Sequence, residues 1–307
     1  SLEFAQTLNK KNNITLIFQN GACDSLESLK AYNNLKNLHD VKYVIGPYCG
    51  QSVQSIYPLL KKDKVIAISP MAPDNNLADE NDNFYRTRSP NNIEILEIVD
   101  FLITRDIKKV AVYTTKNSFG ESYKETFIDS YDGFGEVIYI DGAVEFQQDF
   151  RTEIQKIKEL GTEVILLVPA SRIQMKNFVK QGDESGLDVM YVGGAITQQD
   201  EILDPQVEGL NKVYYPYYES EHNILSKIYE ERYEKPMSME MHNTYFTYRL
   251  LEIVINKCQE DVNCANNFLE NLREIEIEGE ILKFDENGDA IQEFKMKKIE
   301  NNTFVEI

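Results

Sequence analysis

Short apolar runs punctuate the chain, each ending in a turn of small or polar residues and followed by apolar positions at helical spacing. The runs at 14–18, 43–45, 65–68, 110–113, 137–140, 164–168, 189–192 and 213–217 are mostly unbroken Val, Ile and Leu. A strand with one wet face alternates apolar and polar residues, so continuous runs predict parallel strands covered by helices on both faces. Helical periods fall between them at 51–62, 93–104, 121–131, 150–160, 173–185, 224–233 and 245–257, and the opening stretch 1–13 also reads as helix. Asp24, with Glu27 three positions on, predicts the capped start of a further helix whose buried stripe is Leu26, Leu29, Leu35 and Leu38.

This order predicts an α/β fold of right-handed βαβ units in open parallel sheets. Such sheets meet ligands beyond the carboxyl ends of their strands, where helix N-termini offer unpaired N–H groups. The turns 46–50 and 69–73, both proline-containing, are therefore candidate site segments. The segments VKYVIGPYCGQSVQSIYPLLKK and IKKVAVYTTKNSFGESYKETFID share a basic entry, a strand, a small or polar turn and a long helix. That repetition places one crossing between lobes near Asp106 and a second after VYYPYYESEH.

At 307 residues the chain has the length of two ordinary domains. Its 42% hydrophobic and 27% charged residues are those of a globular protein, and no apolar run reaches a membrane span. The net charge of −19 disfavours nucleic acid and anionic membrane surfaces as partners. Cys23, Cys49, Cys258 and Cys264 fall as two pairs, which spacing alone leaves open between disulfides and reduced thiols. His39, His222 and His242 are too dispersed for a zinc site, so no metal is expected.

Catalytic signatures are missing: there is no G-x-S-x-G, no phosphate-binding G-x-x-x-x-G-K-[ST], no G-x-G-x-x-G and no H-E-x-x-H. The expectation is a protein that is not an enzyme and carries no cofactor. FDENGD, at 284–289, lacks the twelve-residue calcium spacing and reads as a turn between strands. Tyr214, Tyr215, Tyr217 and Tyr218 read as sheet-face packing, with Tyr215 and Tyr217 on one side. The sequons at Asn13 and Asn301 are no more than chance supplies.

NGACDSLESLKAYNNL, then VKYVIGPYCGQSVQSIYPLLKKDKVIAISPMAP, FYRTRSP, the segment IKKVAVYTTKNSFGESYKETF, DFRTEIQKIKELGTEVILLV, KQGDESGLDVMYVGG and IEGEILKFDENGDAIQEFKMKKI occur in that order. Taken together, the chain resembles the type I periplasmic binding proteins, in the branch of the leucine/isoleucine/valine-binding proteins of ABC importers. The resemblance implies two doubly wound parallel-sheet lobes, 1–106 plus 220–291 and 107–219 plus 292–307, with a hinge and an interlobe cleft that closes on ligand. It implies a monomer, exported to the periplasm or cell surface with or without a lipid anchor, that hands a small molecule to an ABC permease. A ligand-sensing receptor ectodomain of the same fold is the alternative. The family's opening strand and its ligand-contacting loop precede the helix that SLEFAQTLN resembles, and are expected upstream of Ser1.

By the same resemblance Cys23 pairs with Cys49, and Cys258 with Cys264. The family's amino-acid binders hold the ligand carboxylate with a serine after the first turn's cysteine and with the last residue of an S-P-x-A-T turn, and the ammonium with an acidic residue of the second lobe. Gly50, Pro73 and Ala195 stand at those positions, so the ligand is not expected to be an α-amino acid held in the usual way. Tyr48, Met71, Phe119 and Tyr215 or Tyr217 would supply apolar walls beside Ala72, while Gln51, Ser52, Ser118, Ser171 and Arg172 would supply polar contacts. Arg172 is the candidate anchor for a carboxylate. The ligand class implied is an amino-acid-like or aromatic carboxylate compound.

Overall fold

The computed structural model describes residues 14–77, 82–218, 224–234 and 237–307. The helix expected over 1–13 and the sequon at Asn13 lie outside the described residues. Contacts divide the chain into two compact units, Ser1–Pro90 with Ser220–Gln292 and Asn91–Glu219 with Glu293–Ile307.

The first unit holds a parallel sheet of three strands in the order β1 (Tyr43–Ile45), β2 (Ile66–Ser69) and β3 (Phe84–Arg86). Alternation along these short strands sends Ala67 and Phe84 to one face and Ile66, Ile68 and Tyr85 to the other. The first face packs on α1 (Ser25–His39) and α2 (Gly50–Asp63) through Tyr32, Val53, Ile56 and Leu60. In its second cluster lie α8 (Met239–Cys258) and α9 (Val262–Glu270), which follow α7 (Ile224–Tyr233) in that part of the chain. An antiparallel sheet in the order β11 (Ala290–Ile291), β10 (Glu280–Phe284) and β9 (Glu274–Ile277) completes the unit. FDENGD is the connection from β10 to β11, as expected.

Two readings of this unit change. Residues 14–18 form no strand, because no strand ladder among the described residues pairs with them. Leu26 and Leu38 are exposed at 60% and 73%, and α1 buries Ser28 and Tyr32 instead, four residues apart on one helical face. Asp24 does cap α1, accepting from the Leu26 and Glu27 amides at 2.9 Å.

The second unit is built on one seven-stranded sheet in the order β13-β12-β8-β7-β6-β4-β5. The strands are β4 (Lys109–Thr115), β5 (Glu136–Ala143), β6 (Val164–Val168), β7 (Met190–Val192), β8 (Val213–Tyr218), β12 (Phe294–Glu300) and β13 (Thr303–Glu306). β4 to β8 pair in parallel, and the C-terminal β12 and β13 add antiparallel strands that the apolar runs did not announce. Asn301 and Asn302, both at positive φ, form the turn between them.

Both faces of this sheet are covered. Ala111, Tyr113, Ile165 and Leu167 pack on α5 (Arg151–Leu160) and α6 (Arg172–Glu184), while Val110, Val112, Val164 and Leu166 pack on α3 (Asn91–Thr104) and α4 (Ser118–Tyr131). The division explains the boundary: α3 buries Ile95, Ile98 and Leu102 against this sheet, so the first crossing precedes Asn91 instead of falling near Asp106. At the other end Gln292 stays with the first unit, where its amide donates to Ser89 Oγ at 2.6 Å.

Candidate functional site

In the first unit the site segments are the turns that leave β1 and β2. Gly46 adopts φ +107°, a conformation a side chain would disfavour, before Pro47 and Tyr48 lead into α2. Tyr48 is 42% exposed. Ser69 joins the two turns: its hydroxyl donates to the Pro47 carbonyl at 2.6 Å and accepts from the Met71 and Ala72 amides. Met71, Ala72 and Pro73 are buried, and Asn243 Nδ2 lies 3.5 Å from the Met71 sulfur.

Arg86 fixes the second turn from behind. Its guanidinium is fully buried in a bidentate pair with Asp289, with Nε to Oδ1 at 2.6 Å, and it donates to the Ala72 carbonyl at 3.2 Å and the Asp74 carbonyl at 2.7 Å. A planar fork with both carboxylate and carbonyl acceptors filled leaves the turn little freedom.

That turn delivers Asp74, which sequence reasoning passed over. Its carboxylate is 1% exposed, both oxygens are without a hydrogen-bond partner, and a Cβ at Gly50 would overlap it. Gly50 is thus the residue that makes room for a carboxylate carried by the chain itself. Burial pushes the Asp74 carboxyl up from its ordinary value, opposed first by its own backbone amide and then by the charges of Arg86 and Arg88. Ser52, one turn into α2, is buried at 2% with its hydroxyl also unpartnered. Gln51 instead reaches back, its amide donating to the Cys23 carbonyl, and its own carbonyl accepts from Ser25 Oγ at 3.1 Å.

Cys23 and Cys49 form a disulfide with Cα atoms 5.5 Å apart, and Cys49 is the residue that starts α2. The second disulfide, Cys258–Cys264, has the same Cα separation and joins the end of α8 to α9. Both implied pairings are present.

In the second unit β4 lies between β5 and β6, so the chain reverses its winding direction there; the loops leaving β4 and β6 flank a topological switch point. Those loops lead into Ser118 and Phe119, which open α4, and into Ser171 and Arg172 at the start of α6. Asn117 caps α4, accepting from the Gly120 amide at 3.0 Å, and Ser171 caps α6, accepting from the Gln174 amide at 3.2 Å. Arg172 is half-buried and donates from Nε to the Ile196 carbonyl at 2.9 Å, tying the α6 start to the loop that contains Ala195. Phe119, also half-buried, packs 5.8 Å from the Tyr123 ring.

Ala195 has no acidic side chain, yet a carboxylate stands beside it. Glu94 of α3, 1% exposed, accepts from the Ala195 amide and from the Tyr123 hydroxyl, each at 2.8 Å. The helical period that marked α3 as apolar contained this signal as a single acid on the buried face. Of the tyrosine cluster, Tyr215 is core: it is fully buried against Phe304, with its hydroxyl 3.0 Å from Gln198 Oε1. Tyr217 packs half-buried against the same cluster, on the side of the strand expected for both, and its ring also stacks on Tyr218 and lies 5.3 Å from Lys297 Nζ. Among the described residues no group of His, Cys, Asp and Glu could hold a metal ion, and no helix is long and apolar enough to cross a membrane.

Comparison with known proteins agrees with this architecture. The Leu/Ile/Val-binding protein of Citrobacter freundii is 21% identical over 187 residues, which is 60% of this chain and 50% of that protein. A Pseudomonas aeruginosa protein that binds leucine, isoleucine, valine, threonine and alanine is 23% identical over 180 residues, 58% of this chain and 48% of its own. The chain thus spans about half the length of the curated relatives it matches. Among solved structures, an ABC-transporter solute-binding protein of R. palustris in complex with benzoate superposes with a TM-score of 0.86 at 15% identity, covering 100% of this chain and 89% of that one. The branched-chain amino acid transporter substrate-binding protein of Streptococcus pneumoniae, in complex with isoleucine, gives 0.84 at 18% identity, covering 98% and 89%. The family profile described as periplasmic binding protein matches residues 4–303, and the chain belongs to that family, in its type I fold.

Proposed function

We propose that this protein is the extracytoplasmic solute-binding component of an ABC importer, acting as a monomer that takes a small organic ligand at the loops leaving its parallel strands and delivers it to a membrane permease. One observation carries the reading. In each unit the residues singled out by sequence gather where a parallel sheet presents its loops: Tyr48–Ser52 and Met71–Pro73 in the first, Phe119, Ser171 and Arg172 at the switch point of the second. Family membership supports a binding role over a catalytic one, and solved relatives holding isoleucine and benzoate support a ligand between amino acid and aromatic acid in size.

A second reading, a ligand-sensing ectodomain, is supported by the likeness to an extracellular ligand-binding receptor of Desulfohalobium retbaense. That match has a TM-score of 0.87 at 16% identity and covers 100% of this chain and 55% of that one.

The test is a thermal-shift screen of amino acids, aromatic acids, amides, amines and polyols, followed by calorimetry on each responder; tryptophan fluorescence is not an option because the chain has no Trp. A reproducible rise in melting temperature with a saturable heat is expected for at least one class, and silence across all five would sink the reading. For a confirmed ligand, loss of uptake in cells lacking the protein favours the importer, and intact uptake with a lost response favours the sensor.

A further inference from the structure

The N-terminus of α2 has the features of an anion site, yet the chain has placed its own anion there. A helix of 14 residues presents a positive dipole end, and the residue at its cap position, Cys49, makes no side-chain capping bond because its sulfur is joined to Cys23. The Asp74 carboxylate lies against Gly50 at this end, buried and with neither oxygen hydrogen-bonded. Arg86 and Arg88 act on it by charge alone and neither hydrogen-bonds it; the Arg86 guanidinium is committed to Asp289 and to backbone carbonyls, among them that of Asp74 itself. On the same helical turn the Ser52 hydroxyl is buried and unpartnered as well.

Buried acceptors without donors are costly, and a folded protein keeps them where a donor arrives from outside. A ligand carboxylate brought to this rim would meet a like charge in a desolvated setting. A group rich in N–H donors would meet an acid and a hydroxyl that both lack one.

We propose that the rim of the first unit receives a protonated amino group, with Asp74 as its counter-charge and Ser52 as a further acceptor. This rests on the solute-binding reading and narrows its ligand class: the end of the ligand facing α2 is an ammonium, and any carboxylate it bears is recognised elsewhere. Gly50 and the fixed 69–74 turn are what place the acid; a side chain at 50 would displace it.

The experiment compares three probes of one shape on the full chain: leucine, with both charges, isoamylamine, with the ammonium alone, and 4-methylpentanoate, with the carboxylate alone. Calorimetry and thermal shift are run on the wild type, Asp74→Asn and Ser52→Ala, alongside every responder from the wider screen. Amine-bearing probes should bind and 4-methylpentanoate should not. Asp74→Asn should weaken amine binding by about a hundredfold, Ser52→Ala by about tenfold, in line with truncating a buried charge-pair partner and a single hydrogen bond. Without ligand, Asp74→Asn should leave the melting temperature nearly unchanged, since the desolvation of the buried carboxylate is offset by the α2 dipole end and the charges of Arg86 and Arg88, with no hydrogen bond to lose. Binding of 4-methylpentanoate or any aromatic acid with equal affinity to wild type and Asp74→Asn would overturn the inference while leaving the solute-binding reading intact. A clear drop in the ligand-free melting temperature of Asp74→Asn would also overturn it, because the acid would then be a structural cap of α2. Silence from every compound would remove the solute-binding reading and this inference with it.

Discussion

The loop rims of the two units spend their polar groups in opposite ways. In the second unit Asn117 and Ser171 cap the helices they precede, Glu94 accepts two hydrogen bonds, and Arg172 holds the Ala195 loop. In the first unit Cys49 does not cap α2, and Asp74 and Ser52 keep buried acceptors that nothing in the fold fills. A polar group that folds onto its partner rigidifies a rim, whereas one that folds without a partner costs stability and stores recognition for a ligand. The comparison teaches where to look for specificity: the proposed amino-group recognition belongs to the rim whose buried acceptors the fold leaves unfilled.

Substitutions can break this contrast or sharpen it. The largest effect is expected at Arg86, whose pairing with Asp289 is fully buried; Arg86→Ala should cost about 3–5 kcal/mol in chemical denaturation, because it strands the Asp289 charge and frees the 72–74 turn. A cost under about 1 kcal/mol would mean that the first unit's turn is not held as described. In the second unit Glu94→Ala should cost about 2–4 kcal/mol, since the Ala195 amide and Tyr123 hydroxyl both lose their acceptor, and amide exchange at Ala195 should accelerate. Ser171→Ala should cost about 1 kcal/mol as a lost helix cap, read from the urea midpoint at unchanged slope. Ser52→Ala should be nearly neutral in the ligand-free protein, within about 0.5 kcal/mol, although both serines sit at helix starts behind a strand. Equal costs for the two serines would erase the distinction between the rims.

Part of this arrangement was legible in the residues. The run 164–168 is β6 and 43–45 is β1, because a continuous apolar run bounded by turns has few other places to go in an α/β protein. Asp24 announced the start of α1 for an equally local reason, a side chain bonding amides two and three positions on. Long-range facts were less accessible. The apolar period of α3 showed a helix but not which sheet it covers, and the boundary expected at Asp106 moved to Asn91 once that sheet was known. Leu26 and Leu38 of α1 looked buried by type, yet the helix turned Ser28 and Tyr32 inward. The run 14–18 has the composition of a strand, but a strand exists only where a neighbour offers its edge.

The sequence by itself determined the alternation of strand and helix, the absence of catalytic signatures, the turns that could bear a site and, through its ordered motifs, the family. Those properties depend on neighbours in the chain or on the order of segments. Tertiary structure alone decided that Glu94 stands beside Ala195 and that Gly50 leaves room for Asp74. The physical reason is that the cost of a buried acceptor is set by which groups come within reach of it at separations of 24 positions in one case and 101 in another, and no local pattern encodes that proximity.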